Sequence, residues 1–370
     1  MLYELLALVR SLFVAQIFTF TGVLDDPRSD EDKEQDYLHE ERASAYAAPI
    51  PDSFSNPKIT ESPYPIENQW RTSSCVPHGT TLALGIERKA DGDEVYSRLS
   101  PLFTYRLRSN YGREGSSLPE MLSLGKKYGA PLFATLPTRT GMTEAQANAL
   151  VLSGQAYTEA EIYRGLEYYS LEEPRDFEAI AAIAQQGHGV PILIYATYDE
   201  WAREYPVVLN PKLNPLYAQV RHCVCVLPKS GFWENGTRYV VIQDSAHFGG
   251  KSLRYVSEAF IKARCYGAGY WDTVQFIGSG KRPRYTFTKP LRVGSSGPEV
   301  QVMQQLLIAE GVLPVDCATG YFGGRTLAGV RAFQNKYAAD ILLPLRLDEP
   351  TSTWGSACIA KANQLCTRDK

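Results

Sequence analysis

The sequence predicts an α+β protein, with a helical part and an antiparallel β part in one unit, followed by a small all-α domain of three helices. Three observations predict it. Helix-spaced segments occupy the first half, at 75–89, 117–128 and 174–186. Three β-rich runs follow, at 190–195, 219–227 and 237–243. From Lys289 onward the pattern returns to short helices that carry a repeated phrase.

Each element has a local reason. CVPHGTTLALGIERK (75–89) begins after Ser73 and Ser74, which are available as caps, holds Pro77 in its first turn and stops at Asp91-Gly92-Asp93. SLPEMLSLGKKY (117–128) is the second helix, and in 174–186 the residues Phe177, Ile180, Ile183 and Ala184 keep helical spacing. VPILIY, QVRHCVCVL and TRYVVIQ are rich in β-branched residues, and the turn-prone SGFWENG separates the last two, which makes a hairpin the economical reading. With residues 230–236 as its loop, Lys229 pairs with Thr237 and the same register sets His222 opposite Asp244; one bulge would shift it.

Bulk properties narrow the classes. At 370 residues the chain is long enough for two or three units, and 44% hydrophobic with 21% charged residues favours folding over disorder. A net charge of -3 without a basic block argues against nucleic acid as a partner. There is no C-x-x-C or H-E-x-x-H, and the five histidines are scattered, so no metal and no cofactor are expected. Seven cysteines leave at least one thiol unpaired if all the others are oxidised.

The run from Ser11 to Leu24 lacks charge, so residues 1–24 are expected to be a signal peptide or membrane anchor. That places the protein outside the cytoplasm, secreted or at the cell envelope, with membrane contact only through such an anchor. Residues 25–50, opening with DDPRSDEDKEQDYLHEER, read as a solvated acidic linker or short pro-segment.

A nucleophilic thiol needs stabilisation as thiolate, a base and donors for the oxyanion. Cys75 lies at a helix start, where oriented N–H groups favour the thiolate. His222 is the candidate base, Asp244 its orienting partner, and Gln69 a side-chain donor for the oxyanion beside the Cys75 N–H. His78, one turn after Cys75, and His247 are read as structural. Cys223 and Cys225 alternate with Val224 and Val226, so they are expected to face away from His222 and pack as small apolar residues or pair elsewhere.

These residues resemble the papain family of cysteine peptidases. The resemblance lies in ENQWRTSSC (67–75), LSPLFTYRL (99–107), GHGVPILI (187–194), RHCVCVLPKSG (221–231) and YVVIQDSAHFGG (239–250), in order, over residues 51–283. It implies a two-lobed fold, helical lobe plus antiparallel β lobe, with Cys75 as nucleophile, His222 as base and Gln69 at the oxyanion. Asp244 stands where that family usually has Asn, as in the Cys-His-Asp triads of transglutaminase-like enzymes. Thr72 and Ser73 replace the usual Cys and Gly, Val76 the Trp after the nucleophile, and Ala246 the Trp that shields the His and Asn pair.

In the tail, YFGGRTLAGVRAFQ (321–334) and TWGSACIAKANQLC (353–366) match as aromatic, Gly, two variable residues, Thr or Cys, aliphatic, Ala. Val300, Met303 and Leu307 share one helical face, as do Leu327, Val330 and Phe333. LRVGSSGPEVQVMQQLLIAEGVL (291–313) and DCATGYFGGRTLAGVRAFQNKY (316–337) resemble the widespread peptidoglycan-binding module, assigned to 289–370, with Phe322, Gly323 and Arg325 as candidate contacts. Cys317, Cys358 and Cys366 are expected to supply one disulfide there, Cys317 with either of the others.

The expectation is a papain-like cysteine peptidase that cleaves peptide or protein substrates through an acyl-thioester and is held at the bacterial wall by a peptidoglycan-binding tail. Two rivals are a peptidoglycan stem-peptide amidase or endopeptidase, and an inactive wall-binding protein on the same scaffold.

Overall fold

A computed structural model describes residues 22–33, 36–38, 56–91, 96–197, 220–246, 252–274, 282–283, 285–314 and 317–367. An eight-stranded sheet organises the first unit. Its strands are β1 (Tyr37–Leu38), β2 (Gly165–Ser170), β3 (Val190–Ala196), β4 (Val220–Val226), β5 (Phe232–Glu234), β6 (Thr237–Gln243), β7 (Leu253–Ser257) and β8 (Cys265–Val274), in the order β1-β2-β8-β3-β4-β6-β5 with β7 also on β6. All pairings are antiparallel except β1 with β2.

Helix α1 (Cys75–Asp91) packs on β3, β4 and β8 on one side and on α2 (Pro101–Leu107) and α3 (Leu118–Lys127) on the other. It is thereby the buried joint between a helical lobe, completed by α4 (Gly154–Ala160), and the β lobe. Alternation along the strands splits the core. Val224, Val240, Ile242 and Val256 join one cluster with α5 (Phe177–Gln186) and α6 (Glu258–Arg264), whereas Cys223, Cys225, Val241 and Tyr255 join another that contains Cys75 and Val76. Cys223 and Cys225 are buried, and Cys223 Sγ would lie 3.0 Å from a Cβ at Gly79 of α1, so Gly79 lets helix and strand approach closely.

The three expected helices and three expected strands are present, with ends moved by a few residues. Ser117 and Asp176 cap α3 and α5 through side-chain bonds to Glu120 N and Ala179 N. The hairpin register needs correction. The tight turn is at Asn235-Gly236, both at positive φ, so β5 takes the near end of β6. β4 pairs farther along, Cys225 with Gln243 and Val226 with Ile242, so Asp244 lies two positions from direct opposition to His222. An even offset keeps both side chains on one face, which is why they still meet.

The segment from Asp25 onward, expected as a solvated linker or short pro-segment, is mostly exposed where it is described and makes specific contacts. Arg28 is sandwiched between Asp26 and Asp36, at 2.7 and 2.5 Å, so its charges pair with one another. Tyr168 donates a hydrogen bond to the same Asp36, beside the β1–β2 pairing. Most of the apolar N-terminal run, residues 1–21, lies outside the described residues; among those described, no helix is long and apolar enough to cross a membrane.

The tail holds α7 (Pro298–Ala309), α8 (Gly324–Lys336) and α9 (Ser356–Thr367), two short helical turns, and an antiparallel pair of β9 (Leu291–Arg292) with β10 (Thr353–Trp354). That pair corrects the all-α expectation; strands of two residues leave no periodic signal. The repeated phrase has a hydrogen-bond counterpart. Gln304 of α7 donates to Tyr321 O at 2.9 Å and accepts from Gly320 N at 2.8 Å; Gln334 of α8 donates to Thr353 O at 2.7 Å and accepts from Thr351 N at 2.6 Å. In each half a buried amide from one helix satisfies the loop that launches the next. No disulfide forms, contrary to expectation: Cys358 faces Gln334 at 3.4 Å and Cys317 faces Arg325 at 3.8 Å.

The tail rests on the helical lobe. Arg331 of α8 donates to Thr135 Oγ1 at 2.9 Å and lies 3.5 Å from the buried Glu159 of α4, and Arg98 bridges Glu349 of the tail to Glu67.

Candidate active site

Cys75 is the first residue of α1 and is 1% exposed. The loop before it is fixed from two sides. Ser73 N donates to Glu144 Oε2 at 2.8 Å, and Glu144 is held by Tyr105, Arg108 and Asn148. Ser74 Oγ contacts Thr72 Oγ1 at 2.6 Å, and Thr72 Oγ1 donates to Gln69 O at 2.6 Å. As the first helical residue, Cys75 presents a backbone N–H without an intrahelical acceptor.

His222, on β4, donates from Nε2 to Asp244 Oδ1 at 2.7 Å, with both side chains at most 1% exposed. That bond fixes the ring, and the Cys75 side chain is near enough to act electrostatically on the same ring. Burial opposes charge on the ring, but the Asp244 carboxylate and Cys75 outweigh it and push the His222 pKa up to about 10. Burial would likewise raise Asp244, yet His222, Arg254 and the Ala246 N–H bring it down to about 2. Cys75, His222 and Asp244, separated by up to 169 positions, thus form one contiguous row.

Arg254 extends the row. Its Nε lies 3.8 Å from Asp244 Oδ2, and neither side chain is exposed. Two unit charges at that separation attract by roughly 4 kcal/mol at an effective dielectric of about 20, while each buried ion costs several kcal/mol in lost hydration. The pair is therefore poor as a source of stability and effective as a means of keeping Asp244 ionised. Arg254 was missed in the sequence. Its signal is a charged residue inside LRYVS, a strand buried at every position.

Gln69 is 4% exposed and clamped: Oε1 accepts from Ser245 Oγ at 2.8 Å, Nε2 donates to Thr72 O at 2.9 Å, and its backbone N–H bonds Ser245 O at 3.0 Å. The amide has a second Nε2 hydrogen to offer. His78 does not join the row. Its Nδ1 donates to Ser74 O at 2.7 Å, and burial lowers its pKa to about 4, which leaves it neutral.

The cleft is covered by the chain's own N-terminal segment. Ser116 N donates to Gly22 O and Leu24 N to Ser116 O, both at 2.9 Å, with Val23 buried between them. Asp25 then reaches Arg221, the neighbour of His222, at 2.7 Å. Gly22 is over the thiol itself: a Cβ there would stand 2.5 Å from Cys75 Sγ.

In the tail, Phe322 is fully buried, which corrects its assignment as a surface contact. It occupies the same place in the repeat as Trp354, also fully buried, so the repeat uses its aromatic as core. Gly323 and Arg325 do line an open cavity of about 220 Å³, with Tyr321 and Thr326.

No protein-family model and no curated protein matches this chain. Among solved structures it is similar to xylellain, a cysteine protease from Xylella fastidiosa, with a TM-score of 0.54 and 17% identity over 69% of this chain and 96% of that one. A digestive procathepsin L 3 of Tenebrio molitor is matched with a TM-score of 0.43 and 17% identity, over 63% of this chain and 78% of that one. The likeness is one of fold, a mixed helical and antiparallel β architecture whose structural neighbours are papain-like.

Proposed function

We propose that the chain is a thiol-dependent peptide hydrolase. Cys75 attacks the carbonyl carbon of a peptide bond, the new oxyanion receives the Cys75 N–H and the Gln69 amide, and His222 gives its proton to the departing amine. Water then releases the acyl group, with His222 as base. Asp244 holds the ring and favours its protonated form. The observation that carries this reading is the buried 2.7 Å bond from His222 Nε2 to Asp244 Oδ1, with Cys75 at the helix start acting electrostatically on the same ring. The papain-like fold supports it.

Residues 22–38 are part of the same proposal, as a pro-segment that closes the cleft. An extended peptide substrate needs the backbone edge at Ser116 and the space at Cys75 that Gly22–Leu24 occupy. Hydrolysis then requires that segment to leave. Incubation of the protein with casein, before and after release of the segment by limited proteolysis, tests this; the expected result is cleavage that rises on release and is absent in Cys75→Ala.

For the tail we propose attachment to peptidoglycan outside the cytoplasm, supported by the motif likeness of 289–370 and by the open cavity at Gly323 and Arg325. Co-sedimentation with purified sacculi tests it, and muropeptide release without casein cleavage would favour stem peptides as the substrate.

A further inference from the structure

We infer that Arg254 is a positioning residue of this site, the fixed positive charge that allows an aspartate rather than a neutral amide to hold His222. The inference rests on the reading of Cys75, His222 and Asp244 as the reacting row.

In the reactive ion pair Cys75 is negative and His222 positive, which cancel; Asp244 adds a further negative charge at a place 1% exposed. A buried site with net charge is costly unless a counter-charge is supplied. Arg254 supplies it: burial lowers its pKa and the Asp244 carboxylate opposes that shift, and a guanidinium holds its proton more firmly than any other side chain. The two carboxylate oxygens divide the work. Oδ1 accepts from His222 Nε2 at 2.7 Å and Ala246 N at 2.9 Å, while Oδ2 faces Arg254 Nε at 3.8 Å.

The sheet fixes that division. β7 pairs with β6 with Ile242 opposite Arg254, and Asp244 N continues the ladder by donating to Ser252 O at 2.7 Å. Arg254 therefore emerges on the face of Ile242 and, one alternation on, of Asp244. Among the described residues, the other titratable groups seen to act on or near Asp244 include His222, His78 and Cys223. His78 is neutral, and burial holds Cys223 as a thiol, so neither can replace Arg254 as counter-ion.

The prediction is a matched pair: Asp with Arg, or Asn with a neutral residue. The test measures the rate of Cys75 alkylation by a peptidyl epoxide from pH 5 to 10 in the parent, Arg254→Met, Asp244→Asn and the double variant, with Arg254→Lys as the conservative control. Arg254→Met is expected to slow alkylation at neutral pH at least tenfold and to displace the pH profile. Arg254→Lys is expected to retain most of the rate, and the double variant to exceed Arg254→Met, since it restores neutrality. A packing role instead predicts that the two single losses multiply in the double variant, which would overturn the inference. An unchanged rate and profile in Arg254→Met, with the parent reacting at Cys75, would overturn it and leave the proposed hydrolysis standing. A parent that does not react at Cys75 after release of the N-terminal segment would overturn both.

Discussion

Gly22 and Cys75 are in contact across the closed cleft: a single carbon added to Gly22 would lie 2.5 Å from the thiol sulfur. The segment that covers the nucleophile therefore depends on having no side chain at that point. Gly22→Val is expected to lift the segment, because overpacking of this kind costs about 1–3 kcal/mol, equivalent to a roughly 5- to 150-fold shift toward the open form. The rate of thiol labelling in the full chain measures it, and an unchanged rate would mean that the segment does not limit access.

The pH dependence has a defined sign. The His222 pKa, held at about 10 against an ordinary 6.5, keeps the imidazolium needed by the leaving amine through neutral pH, and hydrolysis is expected to fall as pH climbs through about 10. Asp244→Asn removes the carboxylate that holds this proton and is expected to move the alkaline limb to lower pH. The same shift contributes stability that is complete below about 6.5 and is lost as pH rises through about 10. For Asp244 the contribution is complete above the ordinary 3.8 and is lost as pH falls toward about 2. Urea unfolding at several pH values follows both.

Gln69→Ala is expected to lower kcat by about 10²–10³, the range found when one oxyanion donor is removed, with KM little changed. Steady-state kinetics on a peptide substrate separates the two. Ser245→Ala is expected to give a smaller loss, because it frees the Gln69 amide without deleting it.

In the tail, Gln334→Ala removes the acceptor of Thr351 N and the shortest donor to Thr353 O and is expected to cost about 1–3 kcal/mol. Phe322→Ala is expected to cost about 3–5 kcal/mol. Arg325→Glu, on an exposed residue, is expected to leave stability unchanged and to weaken sacculus binding if the cavity receives the polymer. Thermal unfolding with co-sedimentation distinguishes these outcomes.

Much of this was legible in the sequence for physical reasons. The helix at Cys75 was visible through its capping serines and early proline, and the strands around His222 and Asp244 through their β-branched runs. The meeting of His222 with Asp244 was inferred from a register that the structure shifts by two. Parity protected the result, since a slip of one would have turned the histidine to the other face. What the sequence hid was nonlocal. Nothing near Gly22 marks it as lying over Cys75, and Arg254 is one basic residue among 38 until the fold buries it behind Asp244. Phe322 resembled a binding aromatic because burial at a repeat position is decided by the partner helices rather than by neighbours in sequence.

Intact-mass labelling by a peptidyl epoxide, on protein freed of its N-terminal segment, reports whether Cys75 is a nucleophile activated by His222. One adduct at Cys75 in the parent, absent in Cys75→Ala and slowed by orders of magnitude in His222→Ala, is the predicted result. Labelling at Cys75 that is indifferent to loss of His222 would contradict it.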